Sequence, residues 1–295
     1  MACFHPLVAY RSADGSISFV DRGKGDQLLL SCGQCIGCRL ERSRQWATRC
    51  VHEASLYDDN CFITLTYNND NVPIDVGLNY SHFQLFMKRL RKRFPNDTIR
   101  FYMCGEYGEN YGRPHYHACL FGFNFPDRVL HSRTGSGFFI YTSRILESLW
   151  SYGFSSVADF SFESAAYVAR YVMKKITGQA AKRHYEVLDE MTGEIYNRSP
   201  EFCRMSLKPG IGAGWWDKFG QSDVVPRDKV VINGVEATVP RYYDKLLRRD
   251  NLLQYDDAKT RRALDNYSRR DDNTDARLSV KEQVVKARLS KLHRS

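Results

Sequence analysis

The stretch IRFYMCGEYGENYGRPHYHACLFG, Ile99 to Gly122, decides how this chain folds. Its two ends, IRFYMC and HYHACLFG, are rich in aromatic and aliphatic residues, and GEYGENYGR between them is a glycine-rich turn. The pattern predicts two neighbouring strands that reverse at the turn. Side chains alternate faces along a strand, so His115 and His117 share one face, with Cys119 and Phe121 further along it. Two imidazoles that close can share a divalent ion. With 8 His in 295 residues, about 0.2 such pairs are expected by chance, so the pair takes its weight from its context. Glu106, at the end of the preceding strand, is placed to return beside the histidines as an oxygen ligand; Glu109 is the competitor. Two nitrogens and one carboxylate leave positions open for substrate oxygens, which suits a catalytic Mg²⁺ or Mn²⁺.

Working outward, CFITLTY (Cys61 to Tyr67) is a β-rich run closed by the turn-forming NNDN. Ser81 is placed to cap a helix in which Phe83, Phe86, Met87, Leu90 and Phe94 recur at three- and four-residue steps until Pro95. A helix is also expected from Leu40 to about Leu56, a short one over Ile145 to Trp150, and a longer one from Glu163 to Ile176, stopped by Gly178. The first thirty residues resemble a hairpin. The order strand, helix, strand, strand, helix predicts an α+β domain, with helices packed on one face of an antiparallel sheet that carries the His-x-His strand. The reading divides the chain into a domain over residues 1–225 and a basic, partly helical tail over 226–295.

The segment AAYVARYVMKKI carries the second motif. At 100° per residue, Ala165, Val168, Ala169, Val172 and Ile176 form an apolar face, while Tyr167, Arg170, Tyr171 and Lys174 form the other. The plain alternative is an amphipathic helix whose tyrosines pack at an edge through their rings. Tyrosine has a pKa near 10 and attacks poorly at neutral pH unless nearby positive charge favours the phenolate. Lys174 and a cation on the histidines would supply that charge, and the cation would polarise a scissile phosphate. A phosphotyrosine bond formed in this way conserves the phosphodiester energy, so the step can reverse and rejoin strands. A second tyrosine permits a second transfer.

Composition agrees with a polyanionic partner: 43 Lys+Arg against 34 Asp+Glu give +9. From Arg241 to Ser295 there are 15 Lys+Arg and 9 Asp+Glu, so +6 of that charge lies in the tail. Neither a membrane-length apolar run nor a secretory signal is present, and cytoplasmic residence is expected. Nine cysteines there should be reduced thiols. Cys32, Cys35 and Cys38, separated by glycine-containing pairs, are spaced to converge on a structural Zn²⁺; Cys3 is the expected fourth ligand, with His5 and Cys50 as alternatives. Trp215 and Trp216 read as core packing before base stacking. The run KRLRKR (Lys88 to Arg93) could line a DNA path, though such runs are usually solvated helix faces.

On three motifs in order, FITLTY, GRPHYHACLFG and YVARYVMKK, the sequence resembles the rolling-circle replication initiators of the His-hydrophobe-His (HUH) endonuclease superfamily. It is most similar to the replication proteins of gokushoviruses, single-stranded DNA phages of the microvirus group. The resemblance covers roughly residues 1–225. It implies an RRM- or ferredoxin-like endonuclease core, a metal held by His115, His117 and Glu106, and nucleophiles Tyr167 and Tyr171 with Lys174 in the family's lysine position. It makes Tyr171 the first attacker and Tyr167 the agent of the closing transfer, and associates Thr64, Thr66 and Arg170 with DNA. The implied activity is nicking of single-stranded origin DNA in the host bacterial cytoplasm, with a 5′-phosphotyrosine link and a 3′-hydroxyl for a host polymerase. No Walker A pattern is present, so unwinding is left to a host helicase. A zinc-stabilised single-strand binding or packaging protein, and a relaxase or transposase of the same chemistry, are the rival readings.

Overall fold

The computed structural model describes residues 3–23, 25–73, 75, 77–108, 112–135, 137–171, 179–188 and 192–292, without the side chains of 171, 179–180 and 291–292. Chain contacts group it into two compact units, Gln45–Leu246, and Met1–Arg44 with Leu247–Ser295. The sequence reading divides it at residue 225 instead. In the smaller unit, β1 (Leu7–Arg11), β2 (Ile17–Ser18) and β3 (Asp26–Leu30) form an antiparallel sheet in the order β2-β1-β3. The helix α1 (Ile36–Ala54) follows the cysteine loop.

The larger unit contains β4 (Asn60–Tyr67), α2 (Tyr80–Arg93), β5 (Arg100–Tyr107), β6 (Pro114–Phe121), β7 (Val129–Arg133) and β8 (Phe139–Thr142). It continues through α3 (Arg144–Leu149), β9 (Gly153–Asp159), α4 (Phe162–Tyr171), α5 (Gln179–Tyr185), β10 (Glu186–Leu188), β11 (Ile195–Asn197) and β12 (Phe202–Met205). After α6 (Ala213–Phe219) come the hairpin β13 (Lys229–Ile232) and β14 (Val235–Thr238), then α7 (Arg241–Asp250). The tail is helical in α8 (Leu252–Ser268) and α9 (Asp275–Leu292). No described helix is long and apolar enough to cross a membrane.

The fold is α+β, built on a seven-stranded antiparallel sheet in the order β12-β5-β6-β4-β9-β8-β7. Helices lie on both faces of it, where the sequence reading puts them on one. The reason is in β5 and β6, whose residues are buried along nearly their whole length rather than in alternation. On one face Phe83, Phe86, Met87 and Leu90 of α2, with Leu146 and Leu149 of α3, cover Ile63, Leu65, Met103, Ala118 and Leu120. On the other, Ala47 and Cys50 of α1 and Ala165, Val168 and Ala169 of α4 cover Tyr102, Cys104, Cys119 and Phe121. The apolar stripe predicted for α4 is therefore its buried face as far as Ala169, and Val172 and Ile176 lie outside the described residues.

Asn79, not Ser81, caps α2: its side-chain oxygen accepts from the Ser81 backbone N–H at 3.0 Å. Tyr116, between the two histidines, faces the α2 layer and is fully buried. Its hydroxyl bonds Tyr67 Oη at 2.9 Å, donates to the Asn79 carbonyl and accepts from the Asn79 N–H, both at 2.8 Å. The residue separating the histidines thus ties their strand to the start of α2.

His52 of α1 stacks on Trp215, ring centroids 3.6 Å apart, and bonds Tyr243 Oη through Nδ1 at 2.8 Å. Burial disfavours its charged form and pushes its pKa down to about 4. A depressed folded-state pKa means the unfolded chain takes up the proton first as the pH falls. Stability held in full above pH 6.5 is therefore expected to drop between about 6.5 and 4, by on the order of 3 kcal/mol for this group. Denaturant titrations at stepped pH should show that acid limb, and His52→Asn should flatten it; an unchanged limb in the variant would assign it to other groups.

Candidate functional site

Strand register assembles the site. Glu106 of β5 pairs directly with His115 of β6, and Cys104 with His117. On the other side, Thr64 and Thr66 of β4 pair with His117 and His115. All of these except Cys104, which stays in the core, converge on the edge of the sheet face that α4 partly covers. The Glu106 Oε1 to His117 Nε2 distance is 2.8 Å and the Glu106 Oε1 to His115 Nε2 distance 4.0 Å. The ligand atoms of all three residues fall within 4.8 Å of one another, and Glu106 and His117 are buried.

That donor set fits a hard divalent ion. Thr64 Oγ1 lies 3.0 Å from His117 Nδ1. With Nδ1–H donating to the threonine, Nε2 turns its lone pair toward the carboxylate. Two acceptors that close need a proton or a cation between them. Neighbouring ligands of an octahedral ion with bonds near 2.0–2.1 Å stand about 3 Å apart, which matches the Glu106–His117 separation. Gly108 completes the frame: a Cβ there would meet His115 Cε1 at 2.8 Å and Nε2 at 3.1 Å. Only a residue without a side chain lets the imidazole lie against the strand end. The sequence reading takes this glycine as part of a turn; its signal is its place opposite the His pair.

Tyr167 is brought to the metal ligands. Its ring stands nearly perpendicular to His117, centroids 5.1 Å apart, and edge-on to Phe62 at 6.3 Å. The Arg170 guanidinium carbon lies 5.8 Å from the Tyr167 ring centroid. Arg170 is exposed while Val168 and Ala169 are buried, so the two faces of α4 separate as expected. Among described side chains the cation beside the tyrosine is Arg170; Lys174 and Glu109 lie outside the described residues, as does the side chain of Tyr171. Thr64 holds His117, and Thr66 stands across from His115.

A cleft of ≈ 490 Å³ opens over this group, with Phe62, Thr64, His117, Tyr167 and Arg170 on one side. Its other wall is Phe138, Phe139 and Ile140 at the start of β8. Phe138 and Phe139 are 47% and 44% exposed, unusual for phenylalanines unless something else covers them. Sequence reasoning misses them, because GSGFFIYT carries no periodicity that separates a cleft wall from a strand. The run KRLRKR lies in α2, on the opposite face of the sheet from the histidines; Arg89 donates to the Leu149 carbonyl and Arg91 to that of Ile99. Trp216 is buried and Trp215 stacks on His52, in keeping with core packing.

The cysteines form a separate group. The sulfurs of Cys3, Cys32, Cys35 and Cys38 lie within 4.8 Å of one another. Of the alternatives for the fourth position, Cys50 is buried in the core of the larger unit and His5 Nε2 is 2.9 Å from Glu282 Oε2.

Residues 60–176, from β4 to just beyond α4, match the family model for replication-associated proteins of the ORF2 type. The chain is 31% identical over 269 residues to the replication-associated protein VP4 of Bdellovibrio phage phiMH2K, covering 87% of this chain and 81% of that protein. It is 28% identical to the replication-associated protein ORF2 of Spiroplasma virus 4, over 85% of this chain and 81% of that one. A third similarity, 30% identity over 75% of this chain, is to 54% of the replication-associated protein ORF4 of Chlamydia phage 1. No solved structure matches. The chain belongs to this family of phage replication-associated proteins, the gokushovirus-like replication proteins.

Proposed function

We propose that the protein is a metal-dependent, tyrosine-linked endonuclease that nicks single-stranded origin DNA to start rolling-circle replication of a phage genome. The observation that carries this reading is the ring of Tyr167 against His117, on the sheet face that also presents Glu106 and His115. A structural tyrosine has no need of a two-histidine, one-carboxylate donor set beside it. Membership of a phage replication family supplies the setting: DNA in the cytoplasm of an infected bacterium, with unwinding and synthesis by host enzymes.

In the proposed step, Tyr167 Oη bonds to the scissile phosphorus and the bond from phosphorus to the 3′-oxygen breaks. The phenol gives up its proton and the departing 3′-oxygen takes one, leaving a 5′-phosphotyrosine and a 3′-hydroxyl. A Mg²⁺ or Mn²⁺ ion held by Glu106, His115 and His117 supplies Lewis-acid charge at the phosphate. Arg170 favours the phenolate and offers a paired contact to phosphate oxygens. Thr64 keeps His117 in the tautomer that leaves Nε2 free to ligate. Phe138 and Phe139, across the cleft, give unpaired bases an aromatic surface to stack on. The reverse of the first step, using the free 3′-hydroxyl of the displaced strand, rejoins the DNA. The family resemblance assigns Tyr171 and Lys174 to one of the two transfers.

The test incubates the protein and Mg²⁺ or Mn²⁺ with labelled single-stranded oligonucleotides that tile an origin region. A protein–DNA adduct on a denaturing gel is expected, absent from the Tyr167→Phe/Tyr171→Phe double variant, with the two single variants showing which tyrosine takes the first cut. Tight binding with no adduct in either metal would replace this reading with that of a single-strand binding protein.

A further inference from the structure

We infer that Cys3, Cys32, Cys35 and Cys38 hold a structural Zn²⁺ in a closed four-thiolate site that staples the smaller unit together, independently of the nicking site. Three observations lead there. The first is spacing. Cys32 Sγ and Cys38 Sγ lie 4.0 Å apart, Cys35 Sγ and Cys3 Sγ 3.9 Å. Four sulfurs at the corners of a tetrahedron around zinc, with Zn–S bonds of ≈ 2.3 Å, stand about 3.8 Å from each other. A polynuclear iron–sulfur cluster, whose thiolates sit on different irons, needs them further apart.

The second is hydrogen bonding. Backbone N–H groups point at the sulfurs: Phe4 and Cys38 at Cys35 Sγ (3.3 and 3.5 Å), Cys35 at Cys32 Sγ (3.3 Å), and Cys32 at Cys3 Sγ (3.3 Å). A thiol is a weak acceptor, and N–H groups arranged in this way stabilise thiolates, the form that binds metal. Four thiolates so close repel each other unless a cation sits among them. Gly33, in the left-handed region at φ +75°, makes the turn between Cys32 and Cys35 that permits the arrangement.

The third is the poverty of the surrounding core. Along β1, β2 and β3 only Ala9 is buried, while Leu7, Val8, Ile17 and Leu29 are exposed. A three-stranded sheet with that little burial needs a staple. Zinc at the cysteines ties the segment before β1, the loop after β3 and the first turn of α1 to one point. All four positions are filled by protein, so the site is structural and leaves none open for substrate.

The test measures metal in protein purified without added zinc or chelator. About one Zn per chain is expected in the wild type and in the His115→Ala/His117→Ala variant, and well under half in Cys35→Ser and Cys3→Ser. Removing zinc from the wild-type protein with a chelator should strip hydrogen-exchange protection from residues 3–44 and leave Trp fluorescence, which arises wholly from residues 45–246, unchanged; adding zinc back should restore protection. Wild-type protein without zinc, protein that carries iron instead, zinc retained by both cysteine variants, or zinc lost with no change in exchange would each overturn the proposal. Should the serine variants not fold, the chelation and refilling arm alone decides it.

Discussion

Glu106→Ala is expected to lower adduct formation by roughly 10²–10³-fold, the scale of losing one contact that stabilises charge in the transition state. Glu106 is the only charged ligand of the proposed ion, and its carboxylate stands 2.8 Å from His117 Nε2. Without it, two neutral imidazoles remain, and hard cations bind nitrogen pairs weakly. The loss should therefore fall mainly on metal affinity, and raising the Mg²⁺ or Mn²⁺ concentration should recover part of it. Glu106 is buried, so the same substitution could also act through the fold. Metal titration separates the two effects, because a fold defect does not yield to a higher ion concentration. An alanine variant that nicks at wild-type rate in low metal would remove Glu106 from the ligand set.

The second large effect is on stability. Glu53 of α1 is 2% exposed and ion-pairs with Arg100 of β5, itself 8% exposed. Its other oxygen accepts from the Gly212 N–H at 2.6 Å, and Arg100 also donates to the Pro209 carbonyl at 2.7 Å. Together these join α1, the sheet and the segment entering α6. Glu53→Ala would leave a buried guanidinium without its counter-charge and a buried N–H without an acceptor, a loss of about 3–5 kcal/mol. Replacing both charges with apolar side chains of similar volume, as in Glu53→Leu/Arg100→Met, should recover much of that. Guanidinium titrations followed by Trp fluorescence report the comparison, since all four tryptophans lie in the larger unit. A single variant within about 1 kcal/mol of wild type would show that water or a rearranged neighbour satisfies Arg100.

Much of the site could be read from the chain itself, because strands and helices impose fixed periods. The two-residue step of β6 is enough to put His115 and His117 on one face and Tyr116 on the other. The hairpin pairing brings Glu106 back across from His115, and the hundred-degree step of α4 separates Tyr167 and Arg170 from Ala165, Val168 and Ala169. The cap of α2 escapes this reading because Asn79 and Ser81 are both capping residues two positions apart. Only the approach of Tyr116 to the Asn79 backbone selects between them. Helices on both faces of the sheet follow from continuous burial in β5 and β6, a pattern that a period-two reading does not separate from a half-buried strand.

What the sequence determined alone is therefore the local geometry of each motif: two histidines in step, a carboxylate one strand away, tyrosines off an apolar stripe, and three cysteines around glycines. Tertiary structure decided what meets what. It set Tyr167 against His117 among the described side chains, placed Arg170 beside that ring, and made Phe138 and Phe139 the opposite wall. It also brought Cys3, twenty-nine residues before Cys32, to the other three sulfurs, and sent KRLRKR to the far face. Spacing within one element is fixed by backbone geometry, whereas a meeting between elements depends on strand order and on which face each crossover covers.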